Sequence, residues 1–148
     1  MNIKKCAIIA AFVALAGCTT VRVDPGGQMT GYVEKITQTQ KTGEKVVIDY
    51  ECDSACLILL SSGSGLQISK DATFGVHETR FVIPGTSYWD KTSIRSETGT
   101  KMLQSRIPAC AVKLFESKNA FDHPTLTYFK GEEVLKACPE IQECTGKE

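Results

Sequence analysis

The sequence has no excess of charge of either sign, only two histidines and no long apolar run. Basic and acidic side chains number 17 each, and this balance gives no argument for a basic face of the kind with which proteins bind nucleic acid or anionic membrane surfaces. The histidines, His77 and His123, do not stand at a zinc-binding spacing from each other or from the cysteines. We therefore expect no nucleic acid, no metal and no cofactor, and a partner that is a small molecule, a peptide or a protein.

The first 17 residues are expected to be a secretory signal and not part of the fold. Two lysines precede an apolar segment at 7–16 that is too short to span a bilayer. The ending Leu15-Ala16-Gly17-Cys18 resembles a bacterial lipobox, which implies cleavage before Cys18 and a lipid anchor on it. In similar lipoproteins, an Asp directly after the lipidated cysteine favours retention in the inner membrane. Thr19 stands at this position here, so an anchor in the outer membrane, facing the periplasm, is expected. An ordinary secretory cleavage site with a chance cysteine is the alternative.

Removal of the signal leaves residues 18–148, enough for one compact domain and too few for two. Five cysteines follow Cys18, and an exported compartment allows them to pair. Cys138 and Cys144 are expected to form a disulfide that fastens the tail. Because five is odd, at least one cysteine is free or bridges two chains. The pairing stays open for the remaining three, which are Cys52, Cys56 and Cys110.

Hydrophobic periodicity predicts an alternation of strands and helices. The predicted elements, in order, are a strand at 21–23, a helix at 28–41 ended by Gly43, a buried strand at 46–50, a helix at 55–61, a strand at 72–79, two helices within 93–118 separated by Pro108, and a helix at 132–137. Residues 80–92 have no clear period and are predicted to form a loop or a hairpin. Strand, helix and strand within about 30 residues make a βαβ unit. The expected class is α/β, with repeated βα units, a small, mostly parallel sheet and a helical C-terminal part.

Two reactive side chains follow neighbouring strands in this prediction. Ser54 stands directly after a strand and at the start of a helix, where free backbone N–H groups stabilise negative charge. His77 lies one strand later and can return to the same edge of a parallel sheet, where it can accept a proton at neutral pH. The turn Asp24-Pro25-Gly26-Gly27 can aim further N–H groups at that edge. Each feature also has an ordinary interpretation: Ser54 as a helix cap, His77 as a hydrogen-bonded strand residue and the glycines as a simple turn.

The order of motifs resembles the proteolytic subunit of the Clp protease, and more closely its exported relatives. Val-Asp-Pro-Gly-Gly is followed by a helix, a strand, Cys-Asp-Ser-Ala-Cys with an apolar continuation, and Ala-Thr-Phe-Gly-Val-His. The resemblance covers roughly residues 21 to 80 and implies a ClpP/crotonase-like fold. The resemblance also implies that Ser54 is the nucleophile, that His77 is the general base, and that Gly26 and Gly27 with the N–H of Ala55 form the oxyanion hole. The resembled peptidases work as ring assemblies, which leaves a homo-oligomer open.

Two functions follow from these features. The first is a lipid-anchored serine hydrolase, a peptidase by resemblance, in which Asp122 is the nearest candidate for the acid that orients the histidine. The second is a non-catalytic lipoprotein that keeps the fold as a binding or assembly module and holds a partner against Tyr88 and Trp89. No motif marks the acid, and the family's strand and helix ahead of the Gly-Gly turn have no counterpart after Cys18. Both departures favour the second function.

Overall fold

The computed structural model describes residues 23–49, 51–81, 85 and 93–145. Several predicted features lie outside these ranges: the signal of residues 1–17, the lipobox with Cys18, the first two residues of the 21–23 strand, and the aromatic pair Tyr88 and Trp89. Within the described ranges, no helix combines the length and the apolar character that a membrane span requires.

The chain alternates short strands with helices. In the described part, the strands are β1 (Val23–Asp24), β2 (Val46–Ile48), β3 (Glu51–Asp53), β4 (Leu66–Ile68), β5 (Thr73–Val76), β6 (Arg80–Phe81), β7 (Ile94–Arg95), β8 (Thr127–Lys130) and β9 (Gln142–Glu143). The α-helices are α1 (Met29–Thr42), α2 (Glu97–Arg106), α3 (Ala109–Glu116) and α4 (Gly131–Ala137), and 3₁₀ helices span Ser54–Ser61, Gly63–Gly65 and Ala120–Asp122. We call Ser54–Ser61 the elbow helix.

Two sheets and a hairpin organise these strands. The larger sheet has the order β1-β3-β5-β8, in which the first three strands are parallel and β8 is antiparallel to β5. The smaller sheet, β2-β4-β9, is parallel throughout, and β6 pairs with β7 as a hairpin. The prediction of an α/β protein with a mostly parallel sheet is therefore confirmed.

The elbow helix runs through the centre of the core. Its residues from Ala55 to Leu60 are all buried, so it is apolar on every side, as a helix must be when other elements surround it. Helix α1 covers it with a face that includes the buried Ile36. Elsewhere in the core, the rings of Phe115 and Phe129 pack with centroids 4.8 Å apart. Helix α2 and strands β3, β4 and β5 also contact the elbow helix, so other elements surround it.

Several predicted helix ends are confirmed. Helix α1 stops at Gly43, whose φ of 70° is the left-handed conformation that favours glycine. Pro108 separates α2 from α3 and stands at the start of α3, where its missing N–H costs no hydrogen bond. Helix α4 covers the predicted segment at 132–137. These ends could be predicted because glycine and proline act through the local backbone.

The predicted strand at 46–50 differs from the structure. Its first part is β2, which belongs to the smaller sheet, and a separate strand, β3, leads into Ser54. In β3 only Cys52 points to the core, while Glu51 and Asp53 share the other face of the sheet. The chain therefore changes sheets between Ile48 and Glu51. The apolar run at 46–50 hid this crossing because it resembled one continuous buried strand.

The predicted disulfide between Cys138 and Cys144 is wrong. Cys138, at the end of α4, is bonded to Cys110 of α3, with a Cα–Cα distance of 5.4 Å. Beyond it the chain leaves as β9 along β4, and the Cys144 N–H donates to the carbonyl of Ile68. Cys144 is in neither of the two disulfides of the described residues. Cys138 pairs with Cys110 because α3 packs on α4. The short separation of Cys138 and Cys144 in sequence, on which the prediction rested, did not determine the pairing.

Candidate active site

Three loops meet at one edge of the larger sheet. Strands β1, β3 and β5 are parallel neighbours with aligned ends, so their carboxyl ends lie side by side. The Gly26-Gly27 turn follows β1, Ser54 follows β3 and His77 follows β5. The register therefore brings the predicted nucleophile, the predicted base and the predicted glycine turn to the same edge.

Ser54 has a left-handed backbone conformation. Its φ is +56°. Residues other than glycine rarely adopt this left-handed conformation, which costs them about 1 kcal/mol or more. The residue is half-buried and opens the elbow helix directly after β3. The cap position belongs to Asp53, and no side-chain hydrogen bond caps this helix in the described structure. Ser54 is therefore not a simple helix cap, and a strained serine at a strand-to-helix turn is the geometry of a nucleophile elbow.

The Gly26 turn packs directly against Ser54. A β-carbon at position 26 would lie 2.5 Å from the carbonyl oxygen of Asp53, 2.7 Å from Cβ of Ser54 and 3.1 Å from the nitrogen of Ala55. Real β-carbons do not approach other atoms so closely, and φ at Gly26 is +81°. Only glycine therefore permits this contact. The approach places the turn beside both Ser54 and the N–H of Ala55. This N–H lies in the first turn of the elbow helix, where backbone N–H groups have no partner within the helix.

His77 is oriented by a backbone carbonyl. Its Nδ1 lies 2.5 Å from the carbonyl oxygen of Glu78, and because a carbonyl oxygen only accepts, Nδ1 carries the proton. In the neutral ring Nε2 is then the proton acceptor. The ring is 5% exposed. Burial, with a smaller effect of Arg80, lowers the pKa of His77, and Glu78 only partly opposes this. A neutral ring with a basic Nε2 is the form that a general base requires.

Asp122 lies near this edge but is bonded elsewhere. The Glu78 N–H donates to the carbonyl oxygen of His123, which holds this segment beside the end of β5. The Asp122 carboxylate is ion-paired with Arg95 at 2.5 Å, and its side chain is 62% exposed. Arg95 also lies 3.9 Å from Glu78. The described residues show the Glu78 carbonyl at Nδ1 of His77, whereas the Asp122 carboxylate is paired with Arg95.

A polar groove opens beside the Asp122 ion pair. It has a volume of about 410 Å³ and is lined from α2, from the end of α3 and from residues 119–122. Its charged lining includes Lys101 and Glu116, and Phe121 supplies an apolar wall. Ser54 and His77 are not in its lining. The groove therefore includes the Asp122–Arg95 ion pair but neither Ser54 nor His77.

A disulfide brackets the candidate nucleophile. Cys52 of β3 and Cys56 of the elbow helix are joined, with Cα atoms 5.4 Å apart, and both are buried. The covalent loop contains Ser54 at its middle position. Because the two cysteines are only four positions apart in sequence, the loop limits the conformations open to Ser54. The disulfide holds the turn and takes no part in thiol chemistry while it is intact.

An acid that the sequence did not single out stands next to Ser54. Asp53 is 5% exposed, and its Oδ1 has no hydrogen-bond partner among the described residues. Burial first, and then the adjacent Glu51 carboxylate, raise the pKa of Asp53 to about 7, although the Gly75 N–H acts against them. The alternation of Glu51 and Asp53 around Cys52 was the available signal, and the strand prediction at 46–50 obscured it.

One group of metal-binding side chains lies within the described residues. Cys110, Cys138 and Glu140 place their donor atoms within 4.8 Å of one another. The two sulfur atoms are already bonded to each other, so neither is a thiolate that could bind a metal ion. His123, the other histidine, is exposed on the segment beside Asp122.

A scan against protein-family models found no matching family, and searches among curated proteins and among solved structures found no match either. The resemblance to the Clp-protease family therefore remains an expectation from the motifs.

Proposed function

We propose that this protein is a serine hydrolase, a peptidase by its resemblance to the Clp proteolytic subunit, with a ClpP/crotonase-like fold. The observation that carries the proposal is the left-handed backbone of Ser54 at the junction of β3 and the elbow helix. Packing, a disulfide and the Gly26 contact all hold this costly conformation. A protein retains such strain where the geometry serves a purpose.

The proposed reaction begins with proton transfer from Ser54 Oγ to Nε2 of His77. The serine oxygen attacks the substrate carbonyl, and the resulting oxyanion accepts hydrogen bonds from the Ala55 N–H and the Gly27 N–H. His77 then gives its proton to the leaving amine, and an acyl-enzyme remains. Water then gives a proton to Nε2 of His77 and attacks the ester carbonyl. His77 returns this proton to Ser54 Oγ as the acid product leaves. The carbonyl of Glu78 supports the proposal because it fixes the tautomer that this sequence of steps needs.

The proposed site has a backbone carbonyl, that of Glu78, where a serine triad has its acid. In a serine triad an acid accepts the Nδ1 proton of the histidine and stabilises the imidazolium. Here a neutral carbonyl accepts that proton, and a carbonyl stabilises positive charge less than a carboxylate does. Asp122 can take the acidic role only if it exchanges Arg95 for His77 when substrate binds. We therefore expect slow chemistry from the unliganded arrangement.

The proposal includes a lipid anchor at Cys18 that holds the hydrolase in the periplasm at the outer membrane. Growth of a producing bacterium with radiolabelled palmitate should label the wild-type chain and leave Cys18→Ser unlabelled. Equal labelling of both chains would contradict the anchor.

The hydrolase is tested with a fluorophosphonate probe, which forms a covalent bond with activated serines. Wild-type protein should be labelled, and Ser54→Ala and His77→Ala should not. Ser61→Ala is the matched control, because Ser61 stands at the other end of the elbow helix and its hydroxyl donates to the Ile58 carbonyl. Labelling that survives in Ser54→Ala, or that is absent from folded wild-type protein, would contradict the hydrolase.

A second function, a binding or assembly module, is favoured by a different observation. Phe81 and Ile94 are directly paired across the β6–β7 hairpin and are 71% and 68% exposed. Large apolar side chains in such a pair often mark a contact surface. If this surface joins copies of the chain, wild-type protein should form oligomers whose size Phe81→Ser combined with Ile94→Ser reduces. Light scattering after size exclusion measures this, and identical masses would contradict it.

A further inference from the structure

A tyrosine of α1 reaches back to the turn that touches Ser54. The hydroxyl of Tyr32 donates to Oδ1 of Asp24. The same oxygen accepts the N–H of Gly26 at 3.1 Å. Asp24 is the last residue of β1, and Tyr32 is on the helix that follows the turn. One carboxylate oxygen therefore joins both ends of the segment that carries the two glycines.

These hydrogen bonds restrict which N–H groups the turn can offer. The Gly26 N–H is already used by Asp24, so it is not available to an oxyanion. Gly27, with a φ of +146°, is exposed, and its N–H makes no backbone hydrogen bond within the described structure. Of the two glycines, Gly27 is therefore the one whose N–H is bonded neither to Asp24 nor to a backbone carbonyl among the described residues. Gly26 instead supplies the close contact with Ser54.

From this geometry we infer that Tyr32 and Asp24 are positioning residues that hold the Gly26-Gly27 turn against Ser54. The inference rests on the proposed hydrolase function, and it assigns a task to two side chains to which the motif comparison gave no role. Tyr32 fixes the carboxylate, the carboxylate fixes Gly26, and Gly26 sets the distance from the turn to Ser54. A loose turn would move the Gly27 N–H away from the reacting carbonyl, and displacements of this size are costly in catalysis.

The surroundings of Tyr32 suit this task. The side chain is half-buried and packs on the core. Burial first, and then the hydrogen bond to Asp24 and its charge, raise the pKa of Tyr32. The phenol therefore keeps its proton and stays a donor across the pH range in which proteins work. A hydrogen bond from a neutral donor to a carboxylate is also stronger than one between neutral groups.

Rates of fluorophosphonate labelling test the catalytic part of this inference. For Tyr32→Phe, which removes only the hydroxyl, kinact should fall about tenfold while KI changes less than twofold. Tyr128→Phe is the matched control, because Tyr128 lies on β8, at the opposite edge of the larger sheet from β1, and is half-exposed. Asp24→Asn keeps an acceptor oxygen and should stay near wild type, whereas Asp24→Ala should resemble Tyr32→Phe. Equal kinact for wild type and Tyr32→Phe would overturn the inference.

Amide hydrogen exchange at Gly26 tests the structural part without any need for activity. Exchange should be faster in Tyr32→Phe and in Asp24→Ala by about tenfold, the loss expected for one hydrogen bond, and unchanged in Tyr128→Phe. Unchanged exchange at Gly26 in the first two variants would overturn the role of Tyr32 and Asp24, whatever the labelling shows. Absence of labelling in wild-type protein would instead remove the hydrolase. The two failures are therefore distinguishable.

Discussion

Replacing Asp53 with asparagine should change how stability depends on pH. The carboxylate is buried beside Glu51, with the charge of Asp24 nearby, and its Oδ1 has no partner in the described structure. A β-carbon on Gly75 would lie 2.1 Å from this oxygen, so the carboxylate rests on the backbone of β5. Asparagine has nearly the same shape as aspartate and does not ionise.

The size of the effect follows from the pKa of Asp53. Burial and Glu51 raise it to about 7 from an ordinary value of 3.8. The unfolded chain therefore releases this proton near the lower value while the folded chain keeps it, so the stability of wild-type protein falls as the pH rises between the two values. A rise of about 3 pH units corresponds to about 4 kcal/mol. Relative to wild type, Asp53→Asn should gain about this free energy of unfolding between about pH 4 and about pH 8.

Urea unfolding followed by circular dichroism measures this difference, with the disulfides intact throughout. Because other carboxylates titrate in both proteins, the difference between the two pH profiles reports Asp53 together with its interaction with Glu51. Asp122→Asn removes a surface carboxylate whose side chain is 62% exposed, and it controls for the loss of one charge. Parallel profiles for wild type and Asp53→Asn would refute the reasoning, because they would mean that the folded and unfolded chains hold this proton equally.

Three further predictions concern the edge where Ser54 lies. Because burial lowers the pKa of His77 below its ordinary 6.5, the rate of fluorophosphonate labelling should fall at acidic pH with a midpoint below 6.5; a midpoint above 6.5 would contradict a buried neutral base. Gly26→Ala should abolish labelling and destabilise the fold, whereas Gly63→Ala, at a similar φ of +71° with no atom near its β-carbon, should cost only the backbone strain of about 1 kcal/mol; equal effects in urea unfolding would contradict the contact with Ser54. Replacing Cys52 and Cys56 together by alanine should lower the free energy of unfolding by about 2 kcal/mol and slow labelling, and unchanged labelling would mean that the disulfide does not hold the elbow.

The sequence predicted those parts of the fold that local chemistry determines. Gly43 ends α1 and Pro108 separates α2 from α3 through their own backbone properties. The place of Ser54 between a strand and a helix was predicted from the change of pattern after residue 50. Its left-handed φ was not predicted, because packing and the Cys52–Cys56 disulfide impose it.

The parts that could not be predicted depend on contacts between distant segments. Strands of two to four residues carry too little periodicity to reveal their partners, so the crossing from β2 to β3 and the antiparallel β8 were not foreseen. The disulfide of Cys138 with Cys110 depends on how α3 packs on α4. The orientation of His77 depends on a backbone carbonyl, and every residue has one, so no side-chain pattern could mark it.

The measurement that tests the hydrolase most directly is the location of the covalent adduct. After labelling and reduction, trypsin should release residues 46–70, a peptide with five serines, of which Ser54 is the first. Tandem mass spectrometry should find the phosphonate on Ser54 alone, and His77→Ala should lose it. An adduct spread over the other serines of the peptide, or its absence from folded wild-type protein, would contradict the account of Ser54 as an activated nucleophile.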